Sequence, residues 1–98
     1  IPFVILLNMK YFDWNREKNE RLKEERDISF EEVSEAIIDQ KILDAFEHPN
    51  QDKYPNQKVV VVEIRDYAYF VAYIEDEEKI FLKTVYPDRD LTKKYLRK

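Results

Sequence analysis

Apolar positions recur with a helical period in the first half of the chain and with the spacing of strands in the second half. Phe30, Val33 and Ile37 fall on one face of a helix. Ser29, followed three residues later by a glutamate, fits a capping box. These positions predict a helix that begins at Ser29 or Phe30, ends near Gln40 and packs on a sheet.

The segment before this helix is more polar. It predicts a helix that ends near Arg26, with Asp13 or Asn15 accepting hydrogen bonds from its first free N–H groups. Trp14 and Leu22 are its only apolar anchors. We therefore expect a surface helix with a wide polar face, which contributes more charge than core.

Runs rich in β-branched and aromatic residues predict strands. The run from Val59 to Ile64 is almost entirely valine and isoleucine, as expected of a central strand that is covered on both faces. Residues 48–57 contain two prolines and predict a loop, and loops of this length in small domains are often functional. The predicted strands are Tyr11–Trp14, Ile42–Glu47, Val59–Ile64, Tyr67–Glu75 and Lys79–Val85.

The pairing of the last two strands decides which side chains share a face of the sheet. A turn at Asp76 and Glu77 predicts three opposed pairs. One face then carries Tyr69, Tyr73 and Thr84, with Tyr67 and Tyr86 at its end, and the other carries Phe70 with Lys83 and Val85. Either face can be the one that the helices cover, because a shift of one residue exchanges them. The predicted pairs are Tyr73 with Ile80, Val71 with Leu82 and Tyr69 with Thr84.

Together these elements predict a single α+β domain. Two N-terminal helices pack on a small antiparallel sheet, and a short basic C-terminal helix follows Pro87, capped by Asp88 or Asp90. We place the domain at residues 9–98. Residues 1–8 are interpreted as an N-terminal extension or as an added edge strand. Their apolar run is too short for a membrane span and has no preceding basic residue, so we expect neither membrane insertion nor a signal peptide.

Composition excludes several classes of function. The chain has no Gly, which excludes glycine-rich phosphate loops, and no Cys, which excludes disulfides, thiolate metal sites and cysteine nucleophiles. With one His, a histidine zinc site is not expected, and we predict neither a metal nor a cofactor. The net charge of -4 argues against general attraction to nucleic acid. Basic residues nevertheless predominate from Pro87 to Lys98, whereas Glu75 to Glu78 is wholly acidic.

Two patches of the sequence resemble a known family. The first comprises Phe12-Asp13-Trp14-Asn15, Lys18-Asn19, Leu22-Lys23 and Ile28-Ser29-Phe30-Glu31-Glu32-Val33. It resembles the N-terminal pattern of BrnT proteins, small toxins of type II toxin–antitoxin modules with a RelE-like fold. The second, Arg89-Asp90-Leu91-Thr92-Lys93-Lys94, resembles the basic segment that follows the last strand in that family.

The resemblance implies a cytoplasmic ribonuclease that halts translation and is neutralised by a co-encoded antitoxin, for which a ribbon-helix-helix protein is a candidate. RNA is the implied substrate. Asp90 and Leu91 stand where the family triplet has a basic and a small residue. This difference favours antitoxin binding or a changed target over docking to the ribosome.

Metal-independent cleavage of RNA needs a group that activates the ribose 2′-OH, a proton for the leaving oxygen and cations near the phosphate. Arg89 is the candidate for phosphate binding, and Lys83 is a charge inside a strand that can point into a site. His48 is the only histidine of the chain, and its imidazole is a candidate proton-transfer group; Tyr86 can stack on a base or pass a proton. We predict these four residues as catalytic. Lys93, Lys94, Tyr95 and Arg97 are predicted to bind RNA.

Each of these residues also has a purely structural explanation. Arg89 can pair with Asp88 or Asp90, terminal lysines are commonly solvated, and most tyrosines are structural. The alternative function is a non-catalytic protein-interaction domain or an inactive toxin homologue. A nucleic-acid-binding module without turnover is a third interpretation.

Overall fold

Three helices and a five-stranded sheet make up the part of the chain that the computed structural model describes, residues 10–97. The predicted α+β class with a C-terminal helix is confirmed. The expectation for residues 1–8 lies outside the described residues. The elements are β1 (Tyr11–Trp14), α1 (Arg16–Arg26), α2 (Phe30–Ile38), β2 (Ile42–Glu47), β3 (Lys58–Ile64), β4 (Tyr67–Glu75), β5 (Lys79–Pro87) and α3 (Arg89–Leu96).

The sheet is mixed, whereas the sequence predicted an antiparallel one. Its strand order is β1-β5-β4-β3-β2, with β1 parallel to β5 and every other pair antiparallel. A parallel neighbour needs a long crossover connection, and the chain between β1 and β5 supplies one. The valines of β3 are completely buried, so the prediction of a central strand covered on both faces is confirmed.

The helices begin where short polar side chains can cap them. Asn15 Oδ1 accepts a hydrogen bond from the Lys18 backbone N–H at 2.9 Å, and Ser29 Oγ accepts one from Glu32 at 3.1 Å. Asp88 caps α3 through the Leu91 N–H at 2.9 Å. As predicted, α1 exposes most of its residues. It docks through two buried side chains, Asn19 and Leu22.

The two faces of the sheet are covered differently. The face towards α1 and α2 holds a large apolar core that includes Phe30, Ile37, Val71, Leu82 and Val85. The opposite face holds a smaller cluster on β3 and β4, and the helix α3 covers only part of it. That smaller cluster comprises Val59, Val61, Ala68, Phe70 and Ala72, with Leu43, Leu91 and Leu96 packed against it.

The predicted register of the β4–β5 hairpin is wrong. A longer loop replaces the two-residue turn, because Asp76 Oδ1 accepts hydrogen bonds from the Glu78 and Lys79 N–H groups at 2.8 and 2.9 Å. Lys83 is then left without a partner on β4 and forms a β-bulge. The observed pairs include Tyr73 with Leu82, Ala72 with Thr84 and Val71 with Val85.

This bulge changes which side chains share a face. Tyr69 and Tyr73 belong to the helix-covered core, and the bulge brings Val85 there as well. Thr84 and Tyr86 lie on the other side, next to Phe70, and not with Tyr69 as predicted. A polar and aromatic surface is thereby assembled on the half of this face that α3 leaves open.

Candidate functional site

An open cavity of about 250 Å³ lies on the face of the sheet opposite α1 and α2. Its floor comes from β4 and β5, and one wall comes from the loop of residues 48–57. We call it the aromatic cavity. Its lining comprises His48, Pro49, Tyr54, Gln57, Phe70, Ala72, Thr84 and Tyr86.

Four rings in this cavity touch one another in sequence. The His48 ring lies 4.5 Å from that of Tyr54 and 5.9 Å, edge-on, from that of Phe70, measured between centroids. Phe70 and Tyr86 stack nearly in parallel, with centroids 4.8 Å apart and planes inclined by 16°. Such a group of rings offers flat surfaces on which an unpaired base can stack.

The loop fixes the position of His48. Its backbone N–H donates to the Gln57 carbonyl at 3.0 Å, and its Nδ1 accepts from the Asn50 N–H at 3.0 Å. Because Nδ1 is an acceptor, the proton of the neutral ring is on Nε2. Within residues 10–97 no protein group is hydrogen-bonded to Nε2. His48 thus keeps one donor for a ligand.

Tyr86 presents a neutral phenol. Burial raises the pKa of Tyr86, and the neighbouring Asp88 and Tyr54 raise it further. The side chain is still accessible, since the residue is 36% exposed. Near neutral pH it therefore offers an O–H donor to a ligand and is a poor base.

A second surface, the basic groove, is formed where α1 passes the edge of β5. It comprises Lys18, Arg21, Arg26 and Lys83, which line two adjoining depressions that share Lys18 and Arg21. The larger depression has a volume of about 370 Å³. Partial burial lowers the pKa of the Lys18 ammonium, and repulsion from the other three cations lowers it further. The carboxylates of Glu17 and Glu25 also line these depressions.

The four predicted catalytic residues do not all meet. His48 and Tyr86 line the same cavity, although they are far apart in the sequence. Lys83 lines the basic groove, with its Nζ 5.4 Å from the centre of the Phe81 ring. Arg89 begins α3 as an exposed residue and lies outside the cavity lining. Among the ion pairs of residues 10–97 none involves Arg89.

The residues predicted to bind RNA all lie on or next to α3. The Tyr95 hydroxyl donates to the carboxylate of Asp44, and this hydrogen bond raises the pKa of Tyr95. Arg97 donates to the Asp66 carbonyl at 3.0 Å and pairs with its carboxylate at 3.3 Å. These two side chains hold α3 against the sheet. Lys94 lies with its Nζ 5.3 Å from the centre of the Tyr95 ring, and Lys93 is exposed.

Sequence analysis missed several residues that form these surfaces. Tyr54 and Phe70 complete the aromatic cavity, and only the correct hairpin register brings Phe70 beside Tyr86. Lys18, Arg21 and Arg26 lie on the helix that the sequence predicts only as a surface helix with a wide polar face. One feature of the sequence indicated this surface: α1 has almost no apolar residues, so most of its charged side chains must be exposed.

No group of three or more His, Cys, Asp or Glu side chains in residues 10–97 is arranged to hold a metal ion. No helix in that range has the length and apolar character needed to cross a bilayer.

Comparison of the whole chain with protein-family models, with curated proteins and with solved structures finds no match. The resemblance to BrnT toxins therefore stays a prediction from the two sequence patches.

Proposed function

We propose that this protein is a metal-independent RNA endonuclease that holds one nucleotide of a single strand in the aromatic cavity, and that it acts as the toxin of a type II toxin–antitoxin module. The toxin assignment rests on the BrnT-like sequence patches. The endonuclease assignment rests on one observation, which is that His48 and Tyr86 line a single open cavity.

The cavity suits an unpaired nucleotide better than a double helix. Phe70 and Tyr86 stack on one another, and Tyr86, which is 36% exposed, is the ring of this pair that is accessible to a base. Stacking of this kind contributes about 1–3 kcal/mol per base and is tolerant of sequence. We therefore propose a single-stranded substrate.

The chemistry proposed is attack of the ribose 2′-oxygen on the adjacent phosphorus, with cleavage of the bond to the 5′-oxygen. The products are a 2′,3′-cyclic phosphate and a free 5′-hydroxyl. Tyr86, neutral because its pKa is raised, donates a hydrogen bond to a phosphate oxygen. His48 acts through Nε2. This nitrogen carries the ring proton as long as Nδ1 accepts the hydrogen bond from the Asn50 N–H.

The same geometry limits how His48 can act as a base. To take the 2′-OH proton at Nε2, the ring must carry its own proton on Nδ1 and give up the hydrogen bond from the Asn50 N–H. We therefore propose that the loop of residues 48–57 adjusts when substrate binds. In its present conformation the neutral ring is suited to donating a hydrogen bond from Nε2. Once it has taken the 2′-OH proton, the resulting imidazolium can give that proton to the leaving 5′-oxygen.

The test is cleavage of a short, end-labelled single-stranded RNA by purified protein in the presence of EDTA. We expect His48→Ala and Tyr86→Ala each to lower the rate by about 10²-fold or more, the usual contribution of a proton-transfer group. Tyr11→Ala is the matched control, because Tyr11 is 55% exposed and lies on β1, outside the aromatic cavity. An RNA in which every 2′-OH is replaced by hydrogen should resist cleavage.

Growth arrest on expression provides the cellular arm of the test. The toxin assignment is supported if the parent protein and the Tyr11→Ala variant arrest growth and the His48→Ala variant does not. If the parent cleaves no RNA and arrests no growth, the endonuclease proposal fails and the non-catalytic interaction domain becomes the better hypothesis. If cleavage persists in both cavity variants, the site is elsewhere.

A further inference from the structure

We infer that the RNA strand bound in the aromatic cavity continues over the free edge of β5 into the basic groove, where Lys18, Arg21 and Lys83 bind its phosphates. This inference rests on the proposed function and adds the path of the strand. It differs from the sequence prediction, which assigned RNA binding to Lys93, Lys94, Tyr95 and Arg97.

The path exists because the sheet has an open edge at this point. β1 pairs with only the first part of β5, and its last residue, Trp14, lies opposite Leu82. Beyond that position no strand within residues 10–97 lies on the outer side of β5. The Arg26 side chain reaches this edge and donates to the Val85 carbonyl at 3.2 Å.

Thr84 connects the two surfaces. It lines the aromatic cavity on one side of the sheet and the larger depression of the basic groove on the other. The bulge at Lys83 sets Thr84 opposite Ala72 on the cavity side, and the β1 pairing ends before Thr84, at Leu82. A strand that leaves the cavity over Thr84 therefore meets the cations directly.

The charges of the groove are poorly compensated within the protein. Lys18, Arg21 and Lys83 take part in none of the ion pairs found in residues 10–97. They repel one another, and this repulsion adds to partial burial in lowering the pKa of Lys18. Glu17 and Glu25 offset part of the charge without forming a direct pair. An incoming phosphate would relieve this repulsion, and a local excess of cations is notable in a chain of net charge -4.

The helix α3 is less suited to the same task. Arg97 is already paired with Asp66, and the Tyr95 hydroxyl is occupied by Asp44. Their release would weaken the attachment of α3 to the sheet. Of the four residues predicted to bind RNA, Lys93 and Lys94 remain available, and Arg89 at the start of α3 is likewise in no ion pair of residues 10–97.

The experiment measures binding alone, so that it does not depend on cleavage. The probe is a fluorescein-labelled, 2′-O-methyl RNA decamer of mixed sequence, titrated by anisotropy between 50 and 200 mM KCl. The test variant is Lys18→Gln with Arg21→Gln. Its matched control is Arg16→Gln with Lys23→Gln, which removes the same charge from the opposite side of α1. The rival variant is Lys93→Gln with Lys94→Gln on α3.

We expect the test variant to bind the decamer at least about tenfold more weakly at 100 mM KCl. Its slope of log affinity against log salt should fall by about 1.4, since each phosphate contact on a single strand contributes about 0.7. The control on the opposite side of α1 should change affinity less than about twofold. Lys83→Gln, a change on β5, should reduce the slope by about 0.7 and so tests the groove independently of α1.

The outcomes separate the two proposals. Weaker binding by the rival variant alone overturns the path and leaves the endonuclease proposal intact. Equal weakening by all three double variants shows general charge attraction and also overturns the path. If the parent protein fails to bind the decamer at 50 mM KCl, both proposals fail.

Discussion

The two faces of the sheet differ in how completely they are covered. On one face α1 and α2 bury a continuous apolar core, in which Phe30, Val33 and Ile37 have no exposed surface. On the other face α3 covers the β3 side, and the part nearer β5 stays open as the aromatic cavity. Stability is therefore concentrated on the first face, and the surface available for chemistry lies on the second.

The difference shows how a small domain can combine a stable core with an exposed aromatic site. Large rings occur on both faces, but Trp14 stacks on Phe30 of α2 in the closed core, whereas Phe70 stacks on Tyr86, which is 36% exposed. The same residue types thus serve different purposes according to whether a helix covers them. Truncations on the two faces should separate these purposes.

The largest difference in stability is expected between two variants that each remove one aromatic ring, one on each face of the sheet. Phe30→Ala should lower the free energy of unfolding by about 3–5 kcal/mol, because it leaves a cavity in the closed core. Tyr86→Ala should cost less than about 1 kcal/mol, since Tyr86 is 36% exposed. Urea denaturation followed by circular dichroism measures both. Equal losses would show that the open face is also part of the core.

A smaller loss of stability, similar on the two faces, is expected when a buried hydrogen-bond acceptor is removed from either face. Asn19 Oδ1 accepts from the Phe30 N–H at 2.7 Å, and Thr92 Oγ1 accepts from the Ala68 N–H at 2.9 Å. Asn19→Leu and Thr92→Val nearly keep the volume and leave a buried N–H unsatisfied, at a cost of about 1–3 kcal/mol each.

These two variants have distinct local signatures. The hydrogen bond from Asn19 is the main reason that the pKa of Glu31 is lowered, so this pKa should rise towards its ordinary value in Asn19→Leu. In Thr92→Val, faster hydrogen exchange should be confined to Ala68 and α3. A stability loss without these local changes would contradict the assignment.

A still smaller effect is expected when the bulge is removed. Deletion of Lys83 leaves Leu82 and Val85 facing the core, and Thr84 and Tyr86 facing the cavity, because the alternation of the strand becomes regular. The stability should change by no more than about 1 kcal/mol. Deletion of Val60, at a regular position of β3, should instead prevent folding. Thermal denaturation distinguishes the two, and an unfolded Lys83 deletion would refute this account of the bulge.

The smallest effect concerns the contact between α3 and β2. The hydrogen bond from Tyr95 lowers the pKa of Asp44, so ionised Asp44 stabilises the folded protein. This stabilisation is present above the ordinary pKa of an aspartate and is lost as the pH falls through the lowered pKa. The pKa of Tyr95 is raised, so its contribution is present below the ordinary pKa of a tyrosine and is lost as the pH rises through the raised value.

Titration of Asp44 by NMR tests this contact. In Tyr95→Phe the pKa of Asp44 should rise towards 3.8, the value for an unperturbed aspartate. The pKa of Asp13 serves as the internal control, because it is lowered chiefly by Lys79 and should not move. An unchanged Asp44 pKa would show that Tyr95 does not hold α3 through this carboxylate.

Much of the fold could be predicted from the sequence because its signals are local. The capping box at Ser29 and the valine run of β3 give the type and place of their elements directly. The parallel pairing of β1 with β5 could not be predicted in this way, because it depends on where the chain returns after five intervening elements. The bulge was missed because Lys83 continues the apparent alternation of the strand.

The candidate site was predictable only in part for the same reason. His48 and Tyr86 were singled out by residue type, but their meeting place depends on the register of β4 and β5. The cations of α1 were missed because a charged helix face is usually only solvated. Their grouping with Lys83 follows from the crossing of α1 over the sheet edge, which no local pattern encodes.

The position of β5 in the sheet has a consequence for synthesis on the ribosome. This strand is the last of the five to emerge, yet it lies between β1 and β4. Until it emerges, β1 has no partner strand among residues 10–97, and the β4 edge that β5 will pair, with three tyrosines on the strand, stays open. Such long-range pairing is slow and exposes the nascent chain to aggregation. The cavity and the groove, which both use β5, also cannot form before that moment.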